Sequence, residues 1–103
     1  MRQNIISAEI KTVPNRAKQA AIALQRLGFS IHHLEEKSEY ISVEGPQSLW
    51  AATFNVSFEP TKKPSVVEVE VTYQKALVDE MRIPAELQNL ITDVLFQEPP
   101  GFF

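Results

Sequence analysis

Val66-Val67-Glu68-Val69-Glu70-Val71-Thr72-Tyr73 is the stretch on which the reading of the fold turns. Val67, Val69, Val71 and Tyr73 alternate with Glu68, Glu70 and Thr72. A period of two sends one set of side chains toward a core and the other toward water, so the segment predicts a half-buried β-strand. Its polar side is acidic, which suits solvent or a basic partner. What sheet it joins depends on the elements before it.

Upstream, Asn55 to Ser65 holds Pro60 and Pro64 around Lys62-Lys63 and reads as a loop that begins with a short extended piece. Gln47 to Phe54 has the spacing of a short helix, with Leu49, Trp50, Thr53 and Phe54 toward the core. Gly45-Pro46 breaks a strand over residues 39–44, in which Ile41 and Val43 share a face. A strand over 29–34, with Phe29, Ile31 and His33 on one face, precedes it across the polar segment Glu35-Glu36-Lys37-Ser38, a hairpin loop of ordinary length. Before that, Ala17, Ala20, Ala21, Leu24 and Leu27 form one helical stripe. Pro14 suits the first turn of that helix and Gly28 its left-handed cap. Ile6, Ala8 and Ile10 alternate with Ser7, Glu9 and Lys11, which makes residues 4–12 a strand. Downstream, Gln74 to Ile83 is a connector. Leu87, Leu90, Ile91, Val94 and Leu95 then recur at helical spacing after Pro84, predicting a helix over 84–95.

The order β-α-β-β-α-β followed by a helix predicts an α+β fold of the ferredoxin-like, split-βαβ kind: an antiparallel sheet with two helices on one face, plus a C-terminal helix. Right-handed crossovers would set the first and last strands side by side in the middle. Residues 1–95 read as a single domain. Residues 96–103, Phe-Gln-Glu-Pro-Pro-Gly-Phe-Phe, read as an extended tail, because no helix continues past Pro99.

Bulk properties agree with one globular domain. The chain has 103 residues, 44% of them hydrophobic and 22% charged, enough to bury about two-thirds of the unfolded surface. The absence of cysteine excludes a disulfide framework, a thiolate zinc site and a cysteine nucleophile. A net charge of -3 argues against general nucleic-acid binding. The charge is uneven: Arg2, Lys11, Arg16, Lys18 and Arg26 are opposed only by Glu9 in the first third, and the remainder is acidic. The N-terminus lacks the apolar core of a secretory signal, and no run approaches the ~20 apolar residues of a membrane span. The chain therefore reads as a soluble protein without a targeting segment.

Two stretches carry a family resemblance. Tyr40-Ile-Ser-Val-Glu-Gly-Pro-Gln-Ser-Leu-Trp-Ala-Ala-Thr-Phe-Asn-Val56 and Ile83-Pro-Ala-Glu-Leu-Gln-Asn-Leu-Ile-Thr-Asp-Val-Leu95 resemble the activation prodomain of the sedolisin/kumamolisin family of serine-carboxyl peptidases. Gly45, Phe54 and Val56 stand at the spacing of that prodomain's strand-ending glycine, helix-closing alanine-phenylalanine pair and next strand, with Thr53 in place of the alanine. Pro84, Ala85 and Leu87 match its proline-alanine-x-leucine helix start, and Ile91 and Val94 its later apolar positions. Leu27-Gly28-Phe29 also fits. The resemblance spans residues 5–95. It departs at Phe96-Gln97-Glu98, where the family has glycine-leucine-aspartate. The family's catalytic residues belong to a domain that would begin where this chain stops, and its glycine-threonine-serine motif does not occur here. The resemblance implies a ferredoxin-like fold and a role in folding and silencing a peptidase, with no peptide-bond chemistry of its own.

Candidate contacts for a protein partner, such as a peptidase catalytic domain, are the acidic Glu68 and Glu70 and the terminal aromatics Phe102 and Phe103, which follow Pro-Pro-Gly with little local sequence to bury them. Adjacent His32 and His33 would point to opposite faces of a strand and so not chelate one metal together. Histidine titrates near ~6.5 as a residue type, so this pair is a candidate pH sensor; the plainer reading is one packed and one solvated imidazole. Glu35, Glu36, Glu39 and Glu44 crowd the hairpin as a solvated cluster. Trp50 reads as a core or lid residue, with an interface hot spot as the alternative. No cofactor, metal, nucleic acid or membrane is implied, and nothing here reads as an enzyme. The alternative is a stand-alone ferredoxin-like regulatory module, self-associating as a homodimer through strand 66–73 or binding a small ligand.

Overall fold

β1 (Ile5–Thr12) follows the alternation of its sequence: Ala8, Ile10 and Thr12 are buried, while Ser7, Glu9 and Lys11 on the other side are half-buried. The computed structural model describes residues 4–34, 39–64 and 70–96. Asn15, at φ 66, turns the chain before α1 (Ala17–Leu27) begins. Asparagine tolerates that left-handed conformation, and Pro14, expected in the first turn of the helix, lies instead in the turn before it. The stripe Ala17, Ala20, Ala21 and Leu24 is buried, and Gly28 (φ 112) ends the helix in the left-handed conformation that glycine adopts without strain. β2 (Ser30–Leu34), β3 (Tyr40–Pro46) and α2 (Gln47–Phe54) follow. Then come β4 (Ser57–Pro64), β5 (Glu70–Leu77), a 3-10 turn at Ala85–Leu87 and β6 (Ile91–Phe96).

The molecule is an α+β structure with an antiparallel sheet and two helices. Four strands form that sheet in the order β2-β3-β1-β6, and β4 and β5 form a separate two-stranded ribbon. This strand order differs from the one expected. Of the segment 66–73, positions 70–73 belong to β5, which pairs with β4 and not with the sheet; 66–69 lie outside the described residues. Residues 57–64, expected as loop, supply that partner. β1 and β3 hold the interior of the sheet, and β6 is an edge strand rather than a central one. The helix expected over 84–95 is replaced by the 3-10 turn and β6.

The physical reason for that last difference is a β-bulge. Thr12 pairs with Ile91 and Lys11 with Asp93, which leaves Thr92 as an extra residue in β6. An inserted residue lengthens the spacing between two core-facing positions from two to three. Ile91 and Val94 are therefore both buried at helix-like spacing inside a strand. β2 repeats the device: Ile31 pairs with Val43 and His33 with Ser42, which leaves His32 extra. Ile31 and Leu34 thus share the core side, and His33, expected beside Ile31, lies across the sheet from it.

Both helices cover one face of the sheet. Trp50 and Phe54 of α2 are fully buried, together with Ile10, Leu24, Ile41, Leu87 and Ile91. Burying a side chain of this size stabilises by about 1.5–3 kcal/mol. Trp50 is the hub. Its indole N–H donates to the Ile6 carbonyl at 3.0 Å, and its ring meets Phe29 and Phe96 edge-on with centroids 4.6 and 5.0 Å away. Such ring pairs add about 0.5–1.5 kcal/mol each beyond burial. Phe96, expected to open the tail, is instead the last residue of β6 and also receives Phe58, at 5.5 Å, from the ribbon. Gly45 does not break β3. A β-carbon there would stand 2.7 Å from the Phe29 ring, so glycine is what lets that ring lie on the strand.

Candidate functional site

The face of the sheet that the helices leave uncovered is polar, and its residues come from all four strands. β1 contributes Ser7, Glu9 and Lys11 by simple alternation, and the antiparallel register sets them opposite Glu44, Ser42 and Tyr40 of β3. On the other side of β1, Glu9 faces Leu95 and Lys11 faces Asp93. Both residues at the β2 bulge serve this face. His33 sits opposite Ser42, and His32 reaches Glu44. Two neighbouring histidines on one side of a strand contradict the expectation of opposite faces, and the inserted residue is the cause.

Hydrogen bonds tie these groups into pairs. His32 Nε2 lies 2.9 Å from Glu44 Oε1, and the Ser7 hydroxyl donates to Glu44 Oε2 at 3.4 Å. The Ser42 hydroxyl donates to Glu9 Oε1 at 2.8 Å. A shallow cavity of about 210 Å³ opens between Ser7, His32, Ser42 and Glu44. The carboxylate occupies the middle of the Ser7–Glu44–His32 chain. A nucleophilic relay needs the imidazole there, between hydroxyl and carboxylate, so these contacts do not form one. With the His32 and Glu44 side chains 56% and 36% exposed, the pair is solvated, and an exposed pair of this kind is worth about 0–1 kcal/mol. The arrangement is able to present donors and acceptors in a fixed pattern to another surface. Among the described residues, no group of three or more histidine, aspartate or glutamate side chains is placed to hold a metal ion.

The residues singled out from sequence scatter. His32, His33 and Glu44 meet on the open face. Glu70 opens β5, opposite Pro64, and so belongs to the ribbon and not to the four-stranded sheet. Glu68, Phe102 and Phe103 lie outside the described residues, as do Glu35 and Glu36. Glu39 works through its backbone: its carbonyl accepts the Thr12 amide at 2.6 Å and the Thr12 hydroxyl at 3.3 Å. Trp50 is core, as its sequence context predicts. Residue type and motif do not single out Ser7, Glu9 and Ser42. The signal that points to them is the polar half of the same alternation that identifies β1 and β3 as strands.

Two other hollows, of about 500 and 440 Å³, flank Asn55 where α2 ends. Asn55 takes the left-handed conformation (φ 55) and its side-chain amide donates to the Glu80 carbonyl at 2.9 Å. Among the described residues, no helix is long and apolar enough to cross a membrane. Comparison of the chain with protein-family models, with curated proteins and with solved structures finds no match.

Proposed function

We propose that this chain is a protein-binding module of the peptidase-prodomain type, which docks the open face of its sheet on a serine-carboxyl peptidase catalytic domain and silences it without catalysing a reaction itself. The observation that carries the reading is the asymmetry of the sheet: two helices bury one face, and the other presents paired Ser, Glu and His side chains from adjacent strands with no element over them among the described residues. A flat hydrogen-bonding surface suits a polypeptide partner better than a small molecule, which takes a deeper, mostly apolar pocket. The resemblance of residues 5–95 supplies the class of partner. In its support, Gly45, Phe54, Val56 and Leu87, which carry that resemblance, are buried; Ile91 and Val94 are buried in a strand, where the resemblance implies a helix.

The ferredoxin-like assignment belongs to the same proposal. With the β4–β5 ribbon counted as an insertion between α2 and the last sheet strand, β6 becomes the fourth strand of a split βαβ arrangement. The order β2-β3-β1-β6 and the wholly antiparallel pairing support that reading.

The test mixes the chain with the catalytic domain of an acid-acting serine-carboxyl peptidase and follows peptidase activity and refolding yield across pH. Stoichiometric inhibition that Ser42→Arg abolishes is the expected result. A standard interface buries about 1,600 Å² in total, so a bulky cation at the centre of the face is enough to separate the surfaces. No effect of the chain on activity or refolding at any pH overturns the proposal.

A further inference from the structure

The β4–β5 ribbon has two edges, and they are not equivalent. Pro60 pairs with Gln74 and Pro64 with Glu70. Proline has no N–H. These pairs are therefore the kind in which both residues turn their backbone groups away from each other. The same phase holds at every second position: 58, 60, 62 and 64 face outward on β4, and 70, 72, 74 and 76 face outward on β5. On β4 two of the outward positions are prolines, so that edge lacks donors where a further strand would need them. On β5 none is a proline. Each outward residue there offers one N–H and one C=O, and among the described residues no strand pairs with them.

The sheet's own edges are disrupted in a different way. β2 and β6 each carry a bulge, a common means of blunting an edge. β5 is the one edge in the described structure that is regular along eight residues and has neither bulge nor proline.

We propose that the outer edge of β5 is a strand-addition site whose occupant is β5 of a second copy of this chain, giving a two-fold dimer with a continuous β4-β5-β5-β4 sheet. This interface is separate from the open face of the four-stranded sheet and does not rest on its function. An antiparallel strand pairs with itself about a two-fold axis through an outward residue, which makes the contact isologous and closed. Placing that axis at Gln74 sets Tyr73 of each copy opposite Lys75 of the other, so a cation meets an aromatic ring and like charges are not opposed. Leu77, 40% exposed in the single chain, falls opposite position 71 of the second copy, a valine. Each hydrogen-bonded pair exchanges two bonds, so positions 72, 74 and 76 supply about six between the copies.

The experiment is sedimentation of the full chain at concentrations on the order of 100 μM, alongside Gln74→Pro. Residue 74 gives no hydrogen bond to β4, so proline there removes a donor from the edge and none from the ribbon. Expected is a dimer that Gln74→Pro returns to monomer. Because proline also restricts the backbone, amide hydrogen exchange of the unaltered chain is read as well. The amides of residues 72, 74 and 76 should gain protection as concentration rises, while those of 73 and 75, bonded to β4, should not change. A chain that stays monomeric overturns the proposal, including one whose edge amides are protected at every concentration. So does a dimer in which the amides of 72, 74 and 76 exchange as they do in dilute solution.

Discussion

The four-stranded sheet and the β4–β5 ribbon are both antiparallel, yet they keep register in opposite ways. In the ribbon, eight residues of one strand face eight of the other without a break, from Ser57 opposite Leu77 to Pro64 opposite Glu70. In the sheet, β1 and β3 pair without interruption, but each edge strand carries one residue too many. The sheet has a covered face and fixes its register by what must be buried on it, so it tolerates an extra residue wherever the apolar side chains still reach the core. The ribbon meets the core through Phe58, set against Phe96, and through Ala76, and its alignment rests on uninterrupted pairing.

The sharpest way to break this contrast is at the core. Trp50→Ala removes the ring shared by Phe29, Phe54 and Phe96. It is expected to cost about 3–5 kcal/mol in denaturant unfolding, with the sheet lost as a unit. Phe58→Ala removes a half-buried ring and is expected to cost less, about 1–3 kcal/mol. Its signature is local: hydrogen exchange of β4 and β5 amides should rise while β1 and β3 stay protected.

Deletions sharpen the comparison further. Removing Thr92 takes out the extra residue of β6 and leaves Ile91, Val94 and Phe96 opposite Thr12, Ile10 and Ala8. The variant should fold, with the amides of β1 and β3 as protected as in the unaltered chain. Removing Lys75 from β5 has no such outlet. It turns one flank of the strand over, so that Ala76 no longer lies on the side of Phe58. That deletion should abolish protection across the ribbon. If the two deletions cost the same, the contrast between tolerant edge and strict ribbon is wrong. The smallest effect expected is that of Glu44→Gln, which takes the charge from an exposed pair; stability should change by no more than about 0.5 kcal/mol.

The same contrast explains which parts of the fold could be read from the chain. β1, α1 and α2 have unbroken periods, and their bounds lie close to those expected. The strongest alternation, at residues 67–73, predicts a strand, and its described part, 70–73, lies in β5, but periodicity says nothing about which strand is its partner. Pro60 and Pro64 argued against a strand at 57–64. The structure accommodates them because both point their missing donor outward. β6 carries the sequence signature of a helix because a bulged strand buries residues three apart, and because no local pattern announces that β1 needs a second neighbour. The open face was half legible. Its polar positions follow from alternation in β1 and β3, but the meeting of His32 and His33 on one side depends on an inserted residue that the sequence does not mark.

Trp50 is the only tryptophan in the chain, and it is wholly enclosed among aromatic rings with its indole proton on a carbonyl. The molecule therefore contains its own optical probe. Excited selectively, this indole should emit at short wavelength while the sheet is intact and shift to the red as water reaches it. Of the two tyrosines, Tyr40 lies on the sheet and Tyr73 on the ribbon. Indole emission is therefore the signal that follows the sheet alone, with no label attached to the molecule.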